Sequence, residues 1–223
     1  MKKYELTQNS IEIDNRTLYQ IRALKDFGSV KKGDLGGYIE SEKNLSHDGN
    51  CWISGNARVY GDAKIYENAY VSKNAQVSGN ARVYGDAEVY GNAWVYGNVQ
   101  VFENARIYGD AQVYDNAYVS GNARVYGNAQ IYGNAHVYEY AWVFGNARVS
   151  GNASVSGSVQ VFENAHVYGN ARLGNVPIDF DCDFDPYKTL KEILNCPEIF
   201  PVLSGLNKNL DKLISTILTK TST

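Results

Sequence analysis

An all-β fold, a parallel β-helix, is predicted by three observations. Counting in sixes from Ile53, every position through Val167 is Val or Ile, and Leu173 closes the series. Four residues after each comes Ala, with Val99 and Val159 as the exceptions, and before the Ala stands Asn or Asp except at Tyr140 and Ser158. The unit V-[YSF]-G-N-A-x keeps its phase for some twenty repeats without one insertion, the mark of a stacked repeat architecture.

Two folds compete for such a unit. Gly-Asn is a good hairpin turn, so the text could encode an antiparallel meander of very short strands. That sheet would carry Ala and Val on one face with nothing left to cover it, which is not a stable end point. If each Gly-Asn is instead a corner, three hexads close an 18-residue triangular coil with every Val pointing inward. Stacking then pairs each strand with its copies above and below and buries a continuous Val/Ile column. Gly suits the tight corner, while Asn and Asp tolerate the left-handed backbone. The 121 residues from 53 to 173 make roughly 6.7 coils, about 32 Å of rod at a strand spacing of about 4.8 Å.

The elements follow in order. Residues 1–46 are expected to form an N-terminal β-hairpin and capping segment, with "IEID" and "TLYQI" around Asp14-Asn15. Gly33, Gly36 and Gly37 read as tight turns; their spacing matches neither nucleotide-binding fingerprint. Residues 47–174 form the β-helix. Residues 175–223 break the period as an acidic linker and short C-terminal helices. "PYKTLKEILNC" from Pro186 has Pro at a first helical turn. From Asn207, Leu210, Leu213, Ile214, Ile217 and Leu218 recur at helical spacing. That stripe is a candidate cap for the open coil end, whose strand edges need cover, or a self-association surface.

Charge excludes some classes. With 21 basic and 24 acidic side chains, net −3, no field steers the chain to nucleic acid or an anionic membrane. The N-terminal residues lead into no apolar signal segment and no long apolar run follows, so a cytoplasmic protein is expected. Cys51, Cys182 and Cys196 lack CxxC spacing and read as reduced thiols.

The sequence assigns no catalytic or metal-binding set. His47, His136 and His166 are the available imidazoles. His136 and His166 are 30 residues apart, not a multiple of 18, so they fall on different faces and do not converge on a zinc ion. Asp179, Asp181, Asp183 and Asp185 lack the EF-hand's Gly and distal Glu and read as a solvated linker. No cofactor is implied.

The information lies on the outer faces. Residues 18 apart form vertical ladders, and one is an unbroken aromatic column: Tyr90, Tyr108, Tyr126, Phe144 and Phe162, with Arg106, Arg124 and Trp142 beside it. Rings about 4.8 Å apart should stack and stabilise the coil. A continuous column beside Arg and Trp also has the residue types of a binding hot spot. These eight residues are the candidate interface.

The segment "YELTQNSIEIDNRTLYQIRALKDFGSVKKGDLGGYIESEKNLS", followed by "GNARVYGDA" hexads, resembles hexapeptide-repeat proteins of the YdcK type. "DFGSVKKGDLGGYIE" is the most specific part, and the resemblance covers roughly residues 4–173. It implies a left-handed β-helix with a small N-terminal cap, on a fold often labelled acyltransferase-like. Such proteins occur in bacteria and their phages. The expected function is a non-catalytic structural or protein-binding solenoid, with a protein partner or itself (a dimer or trimer) and neither nucleic acid nor membrane. A phage- or prophage-encoded factor that binds and blocks a host protein, such as a defence component, is the finer form of that expectation. The alternatives are an acyltransferase-like enzyme with its site at a subunit interface and a glycan-binding rod.

Overall fold

A computed structural model describes residues 2–174 as an all-β parallel solenoid behind an N-terminal hairpin. The hairpin strands β1 (Tyr4–Ile13) and β2 (Arg16–Ala23) pair antiparallel around Asp14 and Asn15. Both turn residues have positive φ, 48° and 61°, the conformation a two-residue primed turn requires. Strand β3 (Leu35–Ile39) pairs antiparallel with β2 on one side and parallel with Arg58–Val59 on the other.

Thereafter each hexad contributes a two-residue strand, and every strand pairs in parallel with the one 18 residues on, as in Glu88↔Arg106 and Val89↔Ile107. Three faces result. The first has ten strands including β1 and β2, leaving eight in parallel; the other two have seven each. We call these face 1 (outward residues Arg58, Gln76, Trp94 and on), face 2 (Lys64, Arg82, Gln100) and face 3 (Trp52, Tyr70, Glu88). The inward Val and Ile and the corner Ala residues are fully buried along nearly the whole rod, from Ile53 to Val155.

The solenoid begins one coil earlier than the period suggests. Its parallel pairing starts at Tyr38↔Arg58 and continues with a bridge from Leu45 to Ile65, ahead of the expected boundary at residue 47. The hexad text is absent there because Asn44 does by side chain what backbone does elsewhere. Its amide donates to the carbonyls of Gly61 (3.0 Å) and Ala63 (2.9 Å). Gly36 and Gly37 are likewise not turns. They lie inside β3, where an added Cβ would sit 2.6 Å from the Ile53 carbonyl oxygen or 2.5 Å from that of Ala57. Glycine is required by close backbone approach.

The corners also divide their labour differently from expectation. The first corner residue takes the left-handed conformation, whether Gly97 (φ 86°), Lys73 (62°) or Glu103 (58°). The Asn that follows forms a side-chain ladder instead, each amide donating to the next coil's Asn, as Asn80→Asn98→Asn116→Asn134→Asn152 at 2.9 to 3.2 Å. Where Glu replaces Gly, its carboxylate accepts from a backbone N–H one coil on. Gly85 N–H donates to Glu67 at 2.7 Å, and Gly121 N–H to Glu103 at 2.6 Å. That bond offsets the left-handed strain of a residue with a Cβ.

Candidate functional site

The column lies along the corner that follows face 3, where the residue after each inward Val points outward. Because coils stack in register, its rings meet face to face: Tyr90–Tyr108, Tyr108–Tyr126 and Tyr126–Phe144 each at 4.9 Å, and Phe144–Phe162 at 5.5 Å. The first three pairs lie within 3° of parallel. The Lys73 ammonium stands 5.3 Å from the Tyr90 ring centroid and closes the N-terminal end. At the far end Phe162 is exposed.

The flanking residues also fall where the 18-residue register puts them. Arg106, Arg124 and Trp142 are successive outward residues of face 3. The Arg124 guanidinium lies 4.9 Å from the Trp142 ring centroid, and Arg106 Nε is 3.5 Å from a Glu88 carboxylate oxygen. Partial burial pushes the Tyr90 and Tyr108 hydroxyls above their ordinary pKa. The strip combines half-buried rings, a cation on an indole and one ion pair. It offers stacking area and guanidinium donors, and no nucleophile is paired with a base along it.

Stacking is not peculiar to this column. Tyr66–Tyr84–Phe102 stack at 4.8 and 5.1 Å, and Tyr96–Tyr114–Tyr132 at 5.1 and 5.0 Å. Length distinguishes the face 3 column, since serines interrupt the other two at Ser120 and at Ser78 and Ser150.

The histidines disperse. His136 is on face 2, stacked on Tyr118 at 4.8 Å; His166 is on face 1, with Nε2 3.3 Å from Ser150 Oγ. His47 packs on Tyr4 at 4.3 Å under the hairpin. Among the described residues, no group of three or more His, Cys, Asp or Glu is placed to hold a metal ion. The tail stripe Leu210, Leu213, Ile214, Ile217 and Leu218, the four alternating aspartates, Cys182 and Cys196 lie outside the described residues.

One cluster escaped the sequence reading. The Lys3 side chain is buried, its amine donating to the Cys51 carbonyl at 2.9 Å and lying 3.2 Å from Cys51 Sγ, with the Phe27 ring centroid at 5.0 Å. Tyr4 donates to the Leu45 carbonyl at 2.7 Å. Burial pushes the Lys3 amine down and the Cys51 thiol up, favouring the neutral form of each. These contacts pin the chain's start to the first coil. Nothing in "MKKYEL" signals it, because the partners are carbonyls some 45 residues away.

Comparisons with known proteins agree with this architecture. The model of the YdcK beta solenoid repeat matches residues 53–67, 75–89, 111–127, 129–145, 141–157 and 147–163. A stretch of 61 residues is 41% identical to the uncharacterized acetyltransferase YdcK of Escherichia coli (strain K12). The match takes in 24% of this chain and 19% of that protein, so the chain spans about a fifth of its relative's length. Among the described residues no helix is long and apolar enough to cross a membrane.

Proposed function

Because this chain is a YdcK-type repeat solenoid, we propose that it works as a rigid protein-binding rod that engages a protein partner, or further copies of itself, through the face 3 strip. The observation that carries the reading is the uninterrupted run Tyr90–Tyr108–Tyr126–Phe144–Phe162 beside an Arg124–Trp142 pair. Aromatic and arginine side chains dominate binding hot spots because they bring large area at low entropic cost. A register-locked stack has little conformational freedom left to lose on association. In its finer form, the rod is a phage- or prophage-encoded factor that binds and blocks a host protein such as a defence component.

The test is a pull-down from the native host together with light scattering on the purified chain. Arg124→Glu with Trp142→Ala alters the strip without removing a rung. If that double variant keeps every captured protein and the same mass, the strip is not the interface.

A second reading follows from the name of the Escherichia coli relative, an uncharacterized acetyltransferase. On that reading the rod is an acyltransferase-like enzyme completed at a subunit boundary. Calorimetry with acetyl-CoA separates the two: saturable binding supports the enzyme, and no heat at millimolar cofactor removes it. A carbohydrate array tests the glycan-binding alternative in the same way.

A further inference from the structure

The ladder at the corner after face 1 runs Tyr60, Ser78, Tyr96, Tyr114, Tyr132, Ser150, Tyr168. Its intact rungs show the geometry the solenoid imposes: Tyr96 and Tyr114 stack at 5.1 Å and 3°, Tyr114 and Tyr132 at 5.0 Å and 2°. At Ser78 one ring is missing. The strands below and above it remain in register, Arg58↔Gln76 and Gln76↔Trp94. Tyr60 and Tyr96 are therefore two coil steps apart, about 9.6 Å at about 4.8 Å per step. A ring placed midway would lie at stacking distance from both.

The space is open. A recess of about 200 Å³ is lined by Tyr60, Gln76, Ser78, Trp94, Val95 and Tyr96. Trp94 is 48% exposed and Tyr96 37%. Two other serine rungs are closed by the side chain 16 residues on: Tyr70 OH sits 2.8 Å from Ser54 Oγ, and His166 Nε2 3.3 Å from Ser150 Oγ, leaving Ser150 buried. At Ser78 the corresponding residue is Trp94, which stands as a side wall of the recess instead.

We propose that the gap at Ser78 is an intercalation site for one neutral aromatic ring, filled by a tyrosine side chain of a partner protein. Size selects a single ring, since sites for larger ligands run to about 300–1,000 Å³. The walls carry no charge that would pair with an ionised guest, and the rungs that stack beside the gap are neutral phenol rings. The ladder selects tyrosine, because the rungs from Tyr96 to Tyr132 are tyrosines held at the spacing the gap offers. Ser78 and Gln76 supply polar groups for an edge that also carries a hydroxyl or a peptide amide. This surface is separate from the face 3 strip, and its fate does not depend on that reading.

The experiment is a titration with N-acetyl-tyrosinamide followed by the indole N–H resonances. Trp94 is assigned by the signal lost in Trp94→Phe. A saturable shift of the Trp94 resonance is expected, with a dissociation constant on the order of 1 mM, as suits one ring without a scaffold. Trp52 and Trp142 should stay still. Ser78→Tyr completes the ladder from within and should abolish the shift while raising the melting temperature. Tyr60→Leu removes one plate and should weaken binding about tenfold, a loss on the order of one stacking contact. The assignment is overturned by an unmoved Trp94 resonance, by undiminished binding in either variant, or by N-acetyl-leucinamide or adenosine binding as well as the tyrosine derivative.

Discussion

Tyr90 and Tyr108, 18 residues apart in sequence, stack with ring centroids 4.9 Å apart and planes 1° from parallel. Neither residue selects the other directly. The backbone pairs Val89 with Ile107, and the side chains next along inherit that register. Each rung is therefore both a stabilising contact and a piece of surface, and substitutions must be chosen to separate the two.

Tyr108 touches a ring on both sides. At about 0.5–1.5 kcal/mol per aromatic pair, Tyr108→Ala should cost about 1–3 kcal/mol. Tyr108→Phe should cost far less, since Phe144 and Phe162 already serve as rungs in the same column. Equal losses in urea denaturation of the two variants would show that stacking is not what the position contributes.

Burial raises the hydroxyl pKa of Tyr90, Tyr96, Tyr108 and Tyr114 in the folded chain. A raised folded pKa means that the unfolded chain loses its protons first. The neutral stack's contribution is thus complete below the unfolded tyrosine value of about 10 and lost as pH rises through the higher folded values. The urea midpoint should fall above about pH 10, together with the appearance of phenolate absorbance. A midpoint that held steady or rose across that range would contradict the burial argument.

Glu103 has φ 58° and accepts from the Gly121 N–H at 2.6 Å. Glu103→Gly removes both the strain and the bond, so stability should change little. Glu103→Ala keeps the strained backbone and loses the bond, and should cost about 1–2 kcal/mol. Chemical denaturation distinguishes them, and an alanine variant as stable as the glycine one would refute the compensation.

Gly37 faces the Ala57 carbonyl oxygen at 2.5 Å from a would-be Cβ. Gly37→Ala should push β3 off the first full coil and destabilise the cap by about 1–3 kcal/mol. Hydrogen exchange should show the loss concentrated at residues 16–39. Uniform protection across the cap would mean that β3 does not depend on that close approach.

Little of the N-terminal cap was legible beyond the hairpin. Asp14-Asn15 announces its own turn because that preference is local. Asn44 bonding to carbonyls 17 and 19 residues away, or Lys3 to Cys51, uses residue types that most often sit in water, and no spacing marks them. The same holds for Glu in the left-handed corner position: its carboxylate matters only once the next coil brings an N–H to it. The aromatic column was legible in full, because a fixed 18-residue period turns a list of residues into a map of a face.

The sequence by itself determined the solenoid: an uninterrupted six-residue period of Val, small corner residue and Ala has one arrangement that buries all its apolar side chains. It also determined which rings share a column, since in-phase repeats leave register no freedom. Only the tertiary structure decided where the rod starts, which corner residue bears the left-handed backbone, and which serine rungs are closed. Those depend on contacts one coil away, where a side chain such as His166 reaches Ser150 while Trp94 stands beside the open gap at Ser78.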